Sequence, residues 1–174
     1  MRITNDFVFF FSGNDMLSNF YIHPFVHQNH RFKSSEHAFM WRKAMYFDDA
    51  SIAIDILSKA QHPNHAKSLG RKVKNFDDTK WQDVRYNIMK DILIDKVNQF
   101  DDLKQFLTIH KHKQFVEASP YDNIWGVKLD QDNDAILDSK NWKGQNLLGQ
   151  IFNDIIKELK LWYLLLHQLV QLFF

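Results

Sequence analysis

Helical spacing dominates the pattern of hydrophobic and polar positions along this chain. The clearest case follows the stop-and-cap signal Phe76-Asp77-Asp78: Trp81, Val84, Ile88, Ile92 and Leu93 recur at three- and four-residue steps up to about Asn98. Arg85 lies one turn after Trp81 and shares its face. The stretch Phe32–Ala44, FKSSEHAFMWRKA, predicts a second helix. Ser34 and Ser35 suit its N-cap, Glu36 meets its positive end, and no Gly or Pro follows before Phe47. On that helix Glu36, Met40, Lys43 and Phe47 fall on one face, while Phe39 and Trp41 point elsewhere and can be buried. Glu36 and Lys43 lie roughly 10 Å apart along the axis, too far for an ordinary surface ion pair. They are either two solvated charges, the commoner state on a helix, or two grips on one ligand.

The remaining pattern fills in around these helices. Phe7–Phe11 is a short apolar run closed by Ser12-Gly13-Asn14-Asp15 and predicts a buried strand. Leu17-Ser18-Asn19-Phe20 reads as a turn whose polar groups need partners if buried. Val26–Phe32 predicts an extended return strand, giving a small β element before the main helix. Asp48 or Asp49 caps a helix through Lys59; Pro63 opens a short one, with Gly70 available for close packing; Asp101-Asp102 caps another. Gln114–Ala118 predicts a strand leading into a loop with Asp122, Trp125 and Gly126. Asp130–Asp138 reads as a surface loop, and Asn141–Asn146 as a second Trp/Gly loop before a last helix through Ile151, Ile155 and Leu159. The segment 161–174 is almost wholly apolar, too short to span a bilayer, and of unknown role.

Composition sharpens this picture. A chain of 174 residues with 45% hydrophobic and 25% charged residues is a normal globular domain. Only 3 Pro and 5 Gly favour helices, and 16 Phe with 5 Trp give an aromatic core or stacking surfaces for a flat ligand. A net charge of +1 demands neither nucleic acid nor an anionic membrane. The absence of Cys excludes disulfides and thiolate metal sites and fits a cytoplasmic protein. The run MRITNDFVFFF is too short in its apolar part and too acidic in its flank for a signal peptide. No phosphate loop, zinc-protease motif or nucleophile elbow is present. His110 and His112 lack an obvious third ligand, so no metal or other cofactor is expected. What remains is a set of polar and aromatic residues at element ends, where sites usually lie; individually, each Trp is more often core than platform.

Taken together, seven blocks resemble the NADAR, or YbiA-like, superfamily. They are Leu17-Ser18-Asn19-Phe20 with Pro24-Phe25; Ser35-Glu36-His37-Ala38-Phe39-Met40 with Lys43-Ala44; Ala66-Lys67-Ser68-Leu69-Gly70-Arg71; Trp81 with Arg85 and Met89; Glu117-Ala118-Ser119-Pro120 with Asp122; Trp125-Gly126; and Trp142-Lys143-Gly144-Gln145-Asn146-Leu147-Leu148-Gly149. They come in the family's order, cover about residues 7–160, and leave the tail outside. The resemblance implies a mainly α, compact, single-domain fold with a small β element.

It also implies cleavage of an N-glycosidic bond. The substrate would be a phosphoribosylated aminopyrimidine of riboflavin synthesis or a similar nucleotide metabolite. The alternatives are removal of ADP-ribose from guanine in DNA or RNA, and non-catalytic binding of a nucleotide or ADP-ribose. Glu36 and Asp122 match the family's acidic positions and would stabilise an oxocarbenium-like sugar or activate water. Lys43 matches its helix lysine; it would attack C1′ and form a Schiff base, or hold a phosphate or hydroxyl. Trp81, Trp125 and Trp142 would stack a base, Arg85 would grip phosphate, and Asn19 and Asn146 would hold hydroxyls or base edges. Phe20, Glu117 and Gly126 complete the expected binding set. These side chains are expected to share one cleft. Two positions depart from the family's pattern: Val127-Lys128 stands where a small apolar residue and a second Gly are usual, and Ile156 where an Arg is frequent.

Overall fold

The computed structural model describes residues 1–159, so the apolar segment 161–174 lies outside the described residues. The fold is mainly helical with two small sheets. It divides into two compact units, Met1–Phe10 with the chain from Gln105 onward, and Phe11–Lys104.

In the Phe11–Lys104 unit the central element is α1, Ser35–Tyr46. It packs against α2 (Ala50–Lys59), α3 (Pro63–Gly70) and the long α4 (Asp78–Gln99). Its ends obey the sequence signals. Asp49 caps α2 by accepting from the Ile52 N–H and also accepts from the Lys74 N–H. Pro63 takes the first turn of α3. Asp77 caps α4 through the Lys80 N–H. Gly70 permits the α1–α3 approach, since a Cβ there would meet Met40 Sδ at 2.1 Å. Around α1 the core is Phe39, Met40, Trp41, Ala53, Ile56, Leu69, Trp81, Met89 and Ile92.

One prediction here needs correction. Val26–Phe32 is not a single extended return strand. It folds on itself as a hairpin of β3 (Phe25–His27) and β4 (His30–Phe32), paired antiparallel. Gln28 and Asn29 both adopt positive φ, at 47° and 63°. That is the geometry of a two-residue hairpin turn, which Asn tolerates and Gln rarely signals. The hairpin is held by His27, whose Nδ1 lies 2.6 Å from Asp95 of α4 and whose Nε2 lies 2.9 Å from the Arg42 guanidinium of α1.

The other unit builds its sheet from distant segments. β2 (Phe7–Phe10) pairs antiparallel with β1 (Arg2–Ile3) and parallel with β5 (Gln114–Glu117). The registers run Phe7 with Gln114 through Phe10 with Glu117. α5 (Asp101–Ile109), which spans the boundary between the units, leads toward β5, and α6 covers residues 147–159. Val8, Phe9, Phe10, Phe115, Val116, Leu148, Ile151 and Phe152 form the core. The acidic loop at 130–138 holds a short 3-10 turn, Asp134–Leu137, that buries Ile136. Ile156 is also core, at 4% exposure, which explains why an apolar residue is at home there.

Gly149 sets how closely α6 approaches β5. A Cβ there would stand 2.0 Å from the Phe115 carbonyl oxygen, a backbone atom that cannot swing away. Gly149→Ala should therefore lower the denaturation free energy by about 2–3 kcal/mol, the cost of overpacking a rigid contact, readable as a lower urea midpoint with unchanged slope.

Candidate active site

The first turn of α1 is polar and yet buried. Ser34, Ser35, Glu36 and His37 expose between 0% and 6%. The solvated-charge reading of Glu36 is thereby excluded. Its backbone N–H donates to the Asn19 carbonyl at 3.0 Å, which brings the Leu17–Phe20 turn against the helix start. That turn is self-braced: Ser18 Oγ accepts the Phe20 N–H at 3.2 Å. Ser34 occupies the N-cap without a side-chain cap bond; its Oγ meets His37 Nδ1 at 2.8 Å. Burial and the nearby Lys33 ammonium lower the His37 pKa to about 4, so this ring is neutral at pH 7.

Lys43 lies two turns along α1, half-buried. Its Nζ donates to the Gly70 carbonyl at 3.1 Å and sits 3.9 Å from the Phe76 ring centroid. Burial lowers its pKa below the ordinary lysine value, against an opposing pull from Asp78. The α4 residues complete this half of the set. Trp81 stacks obliquely on Phe39 at 5.1 Å and keeps only 6% of its surface exposed, so most of its indole serves the core. Arg85 is 8% exposed, and its buried Nε finds no acceptor among the described residues. Asn19 Oδ1 is likewise buried without a donor. Buried polar atoms left open in this way are rare and mark places where a ligand or water completes the bonding.

The other expected residues lie in the unit containing β5, and there the chain is braced by its own side chains. Asn146, at φ 55°, spends its amide on the backbone: Oδ1 accepts the Glu117 N–H at 3.0 Å and Nδ2 donates to the Phe115 carbonyl at 2.9 Å. These two bonds fix the end of β5, where Glu117 sits. Asp122 Oδ1 accepts from both the Ile124 and Trp125 N–H groups at 2.8 Å, shaping the Trp125 loop. Gly126 lies so close to Ser119 and the Glu117 carbonyl that a Cβ would clash at 2.8 and 2.9 Å. Trp142 is anchored by Nε1–H to the Ile136 carbonyl at 2.8 Å and by an edge contact with Phe7. Its ring is half-buried. Lys128 adopts φ 58°, the conformation a glycine takes without strain, which gives the physical reason for the family's second Gly.

A further charged group escaped sequence reading. Lys96, on the apolar face of α4, is 1% exposed. Its Nζ donates to Ser35 Oγ at 3.3 Å and lies 5.7 Å from the Tyr21 ring centroid. The available signal was its place three residues after Leu93, where a core residue belongs. Among the described residues, no group of three or more His, Asp or Glu could hold a metal ion, and no helix is long and apolar enough to cross a membrane.

Comparison with known proteins now decides the family. The NADAR domain family model matches residues 9–160. The chain belongs to the NADAR domain family. Protein irg-1 of Caenorhabditis elegans is 31% identical over 90% of this chain and 81% of its own length. Two further relatives carry activity in their names. N-glycosidase R617 of Acanthamoeba polyphaga mimivirus is 34% identical over 72% of this chain and 73% of its own, and N-glycosidase Npun_R5314 of Nostoc punctiforme is 27% identical over 82% and 84%. The E. coli protein YbiA, solved by NMR, has the same fold, with a TM-score of 0.74, 24% identity, and 94% of this chain and 90% of YbiA covered.

The buried Lys96 ammonium makes a stability prediction. Burial lowers its pKa from 10.5 to about 8, partly opposed by Asp102. Below pH 8 both folded and unfolded chains carry the proton, and the fold bears the full cost of the buried charge. Between pH 8 and 10.5 the unfolded chain binds more proton, so stability rises with pH. Denaturant titrations should therefore show the wild-type stability rising between pH 8 and 10.5, and Lys96→Met should lose that rise.

Proposed function

We propose that this protein is a cytoplasmic hydrolase that cleaves the C1′–N bond of a ribosylated heterocycle, with a phosphoribosylated aminopyrimidine or similar nucleotide metabolite as its substrate. The observation that carries this reading lies around α1. A buried carboxylate, Glu36, and a half-buried amine, Lys43, share one helix with open polar atoms of Asn19 and Arg85 near it. Family membership and the names of the two N-glycosidase relatives support the bond type.

Departure of the heterocycle leaves positive charge on C1′ and the ring oxygen. A carboxylate held out of water stabilises that charge strongly, because little solvent competes with it. Glu36 is the carboxylate of the proposal and meets the developing charge. Lys43 acts as the nucleophile. Its neutral amine bonds to C1′ as the C1′–N bond to the heterocycle breaks. The bonding pair leaves on the heterocycle nitrogen, which takes up a proton. Ring opening then moves a proton from the amine to the ring oxygen and leaves an iminium at C1′. Water adds to C1′ and returns the free amine. The lowered pKa of Lys43 raises the share of neutral amine available. Phe20 contacts the base and sugar, Asn19 offers an acceptor to a hydroxyl, and Arg85 takes the phosphate.

Borohydride added during turnover should trap a sugar on the wild-type protein and none on Lys43→Ala. Trapping unchanged in that variant would remove the Schiff base. Glu36→Gln should lower kcat about 10²–10⁴-fold with little change in KM. Aminopyrimidine phosphoribosides and ADP-ribosylated DNA, assayed side by side, should yield free base only from the former. Release of ADP-ribose from the DNA would transfer the assignment to the nucleic-acid reaction. Binding of ADP-ribose without cleavage of either substrate would make the protein a binding module.

A further inference from the structure

A second buried polar group of α1 faces away from Glu36 and Lys43. His37, one residue after Glu36, is turned about 100° from their face of the helix. It is 2% exposed and lines a small cleft between β4, α1 and α2, with Arg31, Lys33, Ile56, Leu57 and Ala60. Arg31 and Leu57 are exposed, so the cleft opens to solvent. Its volume of about 30 Å³ takes roughly two waters, far too little for a sugar or a nucleotide. The cleft is therefore separate from the proposed glycosidase site.

The hydrogen bonds around His37 settle where its proton sits. Among the described residues, the Ser34 hydroxyl has one partner, His37 Nδ1 at 2.8 Å. The hydroxyl proton goes there, so the neutral ring carries its own proton on Nε2. Nε2 is buried and completes no hydrogen bond among the described residues. The Ala60 carbonyl is near enough to favour a ring proton, but it accepts instead from the Lys33 ammonium, at 3.4 Å. The second acceptor of Lys33 is Gln61 Oε1, also uncharged. The surroundings are positive. Besides burial and Lys33, His62 and His65 at the start of α3 oppose a charge on His37. Neither Arg31 nor Lys33 pairs with a carboxylate among the described residues, and no Asp or Glu occurs from Ile56 to Phe76.

An open buried donor beside uncompensated cations is the complement of a negative ion. We propose that this cleft binds a compact monoanion, a halide or a carboxylate group, held by the His37 Nε2–H and the Lys33 ammonium, with Arg31 adding charge. The anion accepts the open donor, offsets the cations, and ties β4 and the end of α2 to the first turn of α1.

The test follows the His37 ring by NMR of the full chain, with chloride or acetate replacing the bulkier methanesulfonate at constant ionic strength. Chloride or acetate should shift the His37 signals saturably and raise the pH at which the ring titrates by about one, a 10-fold gain in proton affinity, because the anion pairs with the imidazolium. Whichever of the two saturates at lower concentration identifies the source of the negative charge. Lys33→Met should weaken chloride binding about 5-fold and Lys33→Arg should restore most of it. Lys72→Met, an exposed lysine, should stay within about two-fold of wild type, since exposed charges are screened. His37→Leu should abolish the chloride NMR line broadening that wild-type protein produces. Signals indifferent to chloride and acetate would leave only water in the cleft and overturn the site. So would an equal response to methanesulfonate, or equal losses in Lys33→Met and Lys72→Met, which would show a diffuse field.

Discussion

The buried polar first turn of α1 is the constraint on which the Phe11–Lys104 unit depends. Four successive residues there carry side-chain oxygens or nitrogens into a nearly dry environment. Each such group must find a partner or the fold loses several kcal/mol. Ser34 Oγ meets His37 Nδ1 within the turn, and other partners come from far along the chain. Asn19 supplies a carbonyl to the Glu36 N–H, and Lys96 of α4 supplies a donor to Ser35 Oγ. Satisfying one helical turn therefore fixes the 17–20 turn and α4 with respect to α1. Glu36 is held in place by this arrangement as a consequence of burial.

Charge explains a second layer of the design. A chain with 22 basic and 21 acidic residues has no strong overall field. Yet no Asp or Glu falls between Ile56 and Phe76 among the cations there, Lys96 is 1% exposed, and the buried Arg85 Nε has no acceptor among the described residues. Such charges oppose folding, because removing them from water is costly unless an opposite charge compensates. Retaining them makes physical sense where a ligand provides the compensation, and for Lys96 where a donor is needed at the start of α1.

In the unit containing β5, the same economy operates through the backbone. Gly126, Gly144 and Gly149 bring two Trp/Gly loops and the start of α6 into contact distances that a Cβ would forbid. Gly144, for example, would carry a Cβ 2.1 Å from the Gly126 carbonyl oxygen. Asn146 and Trp142 also brace the chain, the first by its bond to the Glu117 N–H and the second by its bond to the Ile136 carbonyl. Lys128 at φ 58° shows the opposite case, a position whose backbone conformation remains although the glycine that suits it is gone.

The sequence by itself determined the helices and most of their ends. Asp49, Pro63 and Asp77 act within a few residues of themselves, and caps and periodicity are local physics. It also carried the family, because seven short blocks in order are a one-dimensional signal. Tertiary structure alone decided what each polar residue does. The Gln28-Asn29 turn divides one expected strand into a hairpin, and β2 finds its parallel partner more than 100 residues away. Whether Glu36 is solvated, whether Lys96 is surface or core, and whether Asn146 faces a ligand or a peptide bond depend on what lies across from them. Burial and hydrogen-bond satisfaction are properties of the folded surroundings, and no spacing along the chain encodes them.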